Sequence, residues 1–139
     1  MTWWIYALVS AGFAAATAIL AKLGVEGMPS NLATAIRTVV VLLFAWALVF
    51  ARQEHREIPS ITGRTLLFLV LSGLATGLSW LAYFRALQLA PASRVQPIDK
   101  TSLALTIVLA AIVLGEPMSW RLVGGVVLIV AGALLTIGA

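Results

Sequence analysis

The chain has 139 residues, of which 62% are hydrophobic and 10% charged, and its mean hydropathy is +1.07. So little charge could not cover the surface of a soluble domain of this length, and the chain reads as an all-α, polytopic membrane protein. The net charge of +4 comes from nine Lys and Arg scattered without a basic stripe, which excludes a nucleic-acid interface, and the lack of cysteine excludes disulfides and thiolate metal sites.

Five apolar segments account for nearly the whole chain, as one domain over residues 1–139. The first span covers about residues 3–21 and opens on Trp3, Trp4 and Tyr6, an interfacial aromatic belt. No basic region precedes it, so it reads as a retained span rather than a signal peptide. "KLGVEGMPSN" then ends the helix with two glycines and a proline. The second span covers about 31–50 and contains Arg37. "ARQEHREIPSITGR", residues 51–64, is the one strongly polar stretch and belongs in water. The third span covers about 65–86, and "LQLAPASRVQ" leads out of it. The fourth covers about 97–114 and opens with "PIDK", so that Pro97 starts the helix and Asp99 lies in its first turn. "GEPMSW" is a tight turn, in which Gly115 suits a left-handed C-cap and Pro117 cannot continue the helix. The fifth covers about 121–137 and is rich in glycine.

Five spans place the termini on opposite sides. The side with the N-terminus carries Arg52, Arg56, Arg64 and Arg121. The other side carries Lys22 and Arg94 in loops, with Arg37, Arg85 and Lys100 just inside helix ends. Loops alone favour a cytoplasmic N-terminus, but the complete division is nearly even. A chain that inserts both ways round would have such a balance.

Enzyme signals are absent. There is no HExxH, GxSxG or phosphate-binding glycine loop, and His55, the single histidine, lies in the polar loop, where it reads as solvent-facing. Glu26, Glu54, Glu57 and Glu116 sit in loops and turns rather than paired inside spans. No cofactor or metal is implied.

Polar groups within spans say more, because they are costly in hydrocarbon. Arg37, about two turns into its helix, is expected to meet a carboxylate, helix-end carbonyls or cavity water. Lys22, Arg85 and Lys100 are near enough to helix ends to snorkel. Asp99 either caps free N–H groups or contacts a solute. Ser72, Thr76, Ser79, Trp80 and Tyr83 share one face of the third span, and Asp99, Ser102 and Thr106 share one face of the fourth. These residues with Arg37 and Lys100 form the candidate substrate pathway. The alternative is structural: Ser and Thr bond back to their own helix, and the rings pack on lipid or neighbours. Gly73 with Gly77, Gly125 with Gly132, and Ala14 with Ala18 suit close helix contacts.

The stretches "ATAILAKLGVEGMPSNLATAIRTVVVLLFAW", "SGLATGLSWLAYFRALQLAPASRVQPIDKTSLALTIVLAAIVLGEPMSW" and "GGVVLIVAGALL" resemble the EamA domain of the drug/metabolite transporter superfamily. The resemblance covers essentially the whole chain and is nearest to short, single-domain bacterial and archaeal members. It implies a five-helix fold that is one half of an inverted-repeat transporter. On that basis a homodimer, with protomers antiparallel in the prokaryotic plasma or inner membrane, is expected to move a small metabolite or drug by alternating access. A subunit of a hetero-oligomeric transporter and a channel-like pore are the rival readings. The related small multidrug resistance proteins carry an essential glutamate in helix 1, whereas "WWIYALVSAGFAAATAILA" has no acid. That speaks against proton-coupled export of cationic drugs. Lys22, Arg37, Arg85 and Lys100 against Asp99 favour a neutral, zwitterionic or anionic solute.

Overall fold

Helix-breaking residues divide the apolar chain. The computed structural model describes residues 2–137, and all regular structure among them is helical. The α-helices are α1 (Trp3–Gly24), α2 (Ser30–Ala51), α3 (Gly63–Leu89), α4 (Ala92–Asp99), α5 (Ser102–Leu109) and α6 (Trp120–Leu135). A 3₁₀ helix, Glu54–Ser60, lies in the polar loop, and α5 runs on into a π-helical turn, Ala110–Leu114. α1, α2, α3 and the segment Ala92–Leu114 are long and apolar enough to cross a membrane. α6 is apolar but has 16 residues, against the ~20 that a full perpendicular crossing takes.

The side-chain distribution is that of a protein whose solvent is lipid. Large apolar residues are exposed along every long helix, among them Phe44, Leu67, Ile112 and Leu128. In water such faces would drive aggregation; in a bilayer they meet acyl chains, while helices satisfy their main-chain polar groups internally.

The chain divides into two units, one of residues 21–88 and the other of 1–20 with 89–139. In the first, Ala21, Val25, Ala33, Phe84 and Leu87 are buried, Leu87 completely. Thr34 and Ser30 are buried among them, and the Thr34 hydroxyl donates to the Ser30 carbonyl at 3.0 Å. The Thr38 hydroxyl repeats the bond one turn on, to the Thr34 carbonyl at 2.8 Å. Each hydroxyl is thus satisfied by its own helix. In the second unit Ala18, Val95 and Ala133 are buried, and α6 packs on both α4 and α5. The Ser119 hydroxyl caps α6 by accepting from Leu122 N at 3.2 Å.

Two local expectations are corrected. The fourth helical segment opens at Ala92 behind Pro91, whose φ of −61° and ψ of 145° direct the chain into the helix, rather than at Pro97. Pro97 lies inside α4, where it cannot donate to the carbonyl four residues back. The helix ends two residues later, and Thr101 N→Ile98 O (3.0 Å) and Ala104 N→Thr101 O (3.0 Å) tighten the join into α5. Asp99 is therefore the last residue of α4 and not a first-turn cap. His55 is half-buried rather than solvent-facing. Gln53, in the left-handed region at φ 57°, turns the 3₁₀ helix back on the end of α2. This brings the His55 ring to 5.2 Å from that of Phe50, and its Nδ1 is buried with no hydrogen-bond partner among the described residues.

Gly115 adopts φ 68°, the left-handed conformation that ends the π turn. This agrees with the reading of "GEPMSW".

Candidate substrate pathway

Arg37 lies seven residues beyond the start of α2, about 10 Å along the helix at 1.5 Å per residue. Its guanidinium carbon is 4.0 Å from the ring centroid of Trp80 and 5.5 Å from that of Phe84. Trp80 and Phe84 are four residues apart on α3, so their rings present to the same side. Among the described residues the partner of Arg37 is therefore an aromatic face rather than a carboxylate or a carbonyl. A guanidinium is planar and weakly hydrated, and it stacks on rings where an ammonium would keep its water. Phe84 escaped sequence reading because it lies just off the Ser/Thr stripe; its signal is the spacing of four from Trp80. Among the described residues Arg37 makes no hydrogen bond or ion pair.

Nearer the end of α3, the Gln88 amide nitrogen donates to the Met28 carbonyl at 2.7 Å and to the Val25 carbonyl at 3.4 Å. Arg85 Nη1 donates to Gln88 Oε1 at 3.1 Å. Lys22 Nζ donates to the Leu87 carbonyl at 2.6 Å. Lys22 and Arg85 thus join a polar clasp that holds the α1–α2 loop against the end of α3. Snorkelling, which needs only water and headgroups, does not account for this. Beside the clasp, Pro29, Ser30, Asn31, Leu81, Arg85 and Gln88 line a cleft of about 520 Å³.

The α3 stripe is divided along its length. Trp80 and Tyr83 are half-buried, with Tyr83 edge-on to Phe84 at 6.3 Å between centroids. Ser72, Thr76 and Ser79 are exposed, and the Thr76 hydroxyl donates to the Ser72 carbonyl at 2.9 Å. Gly73 and Gly77 have nothing within 4 Å of where a Cβ would stand.

The remaining sequence candidates belong to the other unit. Asp99 and Lys100 pair at 3.6 Å, both half-buried, across the join between α4 and α5. Ser102 and Thr106 are exposed one turn apart, with the Thr106 hydroxyl donating to the Ser102 carbonyl at 2.9 Å. Of the ten pathway candidates, Arg37 is brought onto Trp80, Asp99 onto Lys100, and two hydroxyls back onto their own helices.

An all-helical chain with several membrane-spanning segments, whose span-borne cation stacks on aromatic rings, has the features of a multi-pass membrane transport protein. A family model described as the EamA-like transporter family matches residues 1–138, and the chain belongs to that family. It is also 51% identical over 134 residues to a Sinorhizobium sp. protein named "Uncharacterized transporter in cobO 3'region", covering 96% of this chain and 95% of the relative. No solved structure matches. The family points to a membrane transporter rather than an enzyme.

Proposed function

We propose that the protein carries a small metabolite or drug across the membrane by alternating access, as a dimer of five-helix domains in inverted orientation. The observation that carries this reading is Arg37, a cation about two turns inside a span, held by the Trp80 and Phe84 rings with its N–H groups unspent. A charge kept at that depth without a structural ion pair is suited to a pathway. The exposed Ser72, Thr76 and Ser79 continue the same α3 face into a polar strip that a lipid contact would waste.

Two features support the inverted dimer. The Lys and Arg divide nearly evenly between the two sides, and the glycines of α3 and of α6 have nothing within 4 Å of where a Cβ would stand. Close helix approach through such residues is common in membranes. One five-helix domain needs an inverted second copy to supply both gates. In this reading the whole chain is one domain, in a prokaryotic plasma or inner membrane.

The test is counterflow in proteoliposomes. Vesicles preloaded with unlabelled solute from a metabolite panel should accumulate the labelled form transiently. A channel-like pore gives voltage-driven current and no counterflow. A hetero-oligomeric subunit gives neither until its partner is added.

A further inference from the structure

We propose that Arg37 and Trp80 form an oxyanion site that accepts carboxylate solutes and refuses organic cations. The argument starts with what each group has left to offer. Trp80 has a π face that attracts cations, and an open ring of this kind inside a span would suit an ammonium-bearing drug. Here the guanidinium of Arg37 already stands 4.0 Å from the ring centroid. A second cation would meet a covered ring and a like charge. Phe84, 5.5 Å from the same guanidinium, is held in the same way.

A cation–π contact supplies a guanidinium with no hydrogen-bond acceptor. Arg37 carries five N–H donors in a fixed fork, and among the described residues none of them meets an acceptor. That fork matches the two oxygens of a carboxylate, and charge-assisted pairs of this type are about twice as strong as neutral ones. Among the described residues no carboxylate pairs with Arg37: the ion pairs are Arg52–Glu54, at 4.0 Å in the polar loop, and Asp99–Lys100, at 3.6 Å in the other unit. Charged hydrogen-bond donors held in low dielectric with no internal acceptor recruit an external one.

A phospholipid headgroup offers the same oxyanion chemistry. The position of Arg37 about 10 Å along its helix favours a solute that enters the protein over a headgroup that stays at the interface. Naming that solute as cargo rests on the transport reading; the binding site does not.

The experiment uses the full chain in maltoside micelles with two probes of similar size, benzoate and benzyltrimethylammonium. Isothermal titration of the wild-type protein should give saturable benzoate binding and none of the cation. Arg37→Gln should weaken benzoate at least about tenfold and, by freeing Trp80, admit benzyltrimethylammonium. Should that variant fail to fold, Arg37→Lys carries the test: it keeps the charge, loses the fork, and should bind benzoate more weakly than the wild type while still refusing the cation. Benzyltrimethylammonium binding to the wild type, no benzoate binding at millimolar concentration, or benzoate affinity unchanged in the variant would each overturn the site. Competition of benzoate by added phosphatidylglycerol would identify a headgroup site and overturn the solute assignment. Benzoate flux into proteoliposomes separates the two levels. Binding without flux of any solute sinks the transport reading and leaves the site, whereas flux of cations alone sinks the site and leaves transport.

Discussion

Lys22 Nζ stands 2.6 Å from the carbonyl oxygen of Leu87, joining residues 65 apart in sequence. Leu87 belongs to the last turn of α3, where carbonyls have no partner four residues on. A cation there satisfies one of them and meets the negative end of the helix dipole. Because the Leu87 side chain is completely buried, the bond anchors the end of α3 at the core of its unit. Lys22→Met keeps the apolar stem and removes the donor. It should destabilise the protein by about 1.5–3 kcal/mol, the usual range for hydrogen bonds to charged groups. Reversible unfolding in mixed micelles at matched detergent composition checks this, and an unchanged midpoint would mean that Lys22 spends its charge on headgroups after all.

Arg37 and Trp80 should behave as a coupled pair. Arg37→Leu should slow transport strongly, to a residual rate that can still be measured, while leaving membrane insertion and yield intact, because an apolar side chain in a span costs the bilayer nothing. Trp80→Leu leaves the guanidinium without its ring and should be partly active. The stack itself is worth about 0.5–2 kcal/mol. In a double-mutant cycle on transport rate, the double variant should be no worse than Arg37→Leu alone. Additive losses would show that the two residues act separately.

The α3 stripe makes a periodic prediction. Single cysteines at residues 72–83 should react with a membrane-impermeant thiol reagent most strongly at Ser72, Thr76 and Ser79. The opposite-facing Leu74 and Leu78, exposed on the apolar face of α3, should remain unreactive. Bound solute should then slow labelling at Thr76 and Ser79. Uniform protection along the helix would place the stripe in a dry helix–helix contact instead.

Four of the five spans, the breaks between them and the family were legible in the sequence, because bilayer thickness and backbone satisfaction leave few ways to read so apolar a chain; the fifth expected span is an apolar helix of 16 residues. Arg37 was legible as an anomaly for the same reason. Its partner was not, since hydropathy says where a charge is costly and not which ring on another helix covers it. Lys22 and Gln88 were equally opaque: their acceptors are main-chain carbonyls, which carry no residue identity. The start of α4 was misjudged because two prolines, Pro91 and Pro97, both carry helix-start signals. The first opened the helix, and the second marked its end. The capped start of α6 rests on a plainer local signal, Ser119 ahead of Trp120, and Ser119→Ala should cost about 1 kcal/mol of stability.

The orientation of the chain decides between a self-sufficient carrier and a half that needs another partner. In the proposed five-span topology Arg52, Arg56, Arg64 and Arg121 fall on one side and Lys22, Arg37, Arg85, Arg94 and Lys100 on the other, close to a balance at which insertion has no preferred direction. His55 is a poor reporter, since its ring is half-buried against Phe50. Ser60, exposed at the end of the 3₁₀ helix, is better placed, and Ser60→Cys adds no charge that could itself reorient the chain. An impermeant maleimide should label this variant to comparable extents in intact cells and in inverted vesicles. Adding two lysines to the 51–64 loop should shift labelling strongly to one side. It should also remove transport unless a second, oppositely biased copy is co-expressed, in which case activity should return. One-sided labelling of Ser60→Cys without added charge would leave a parallel dimer or a separate partner protein, and the inverted homodimer would have to be given up.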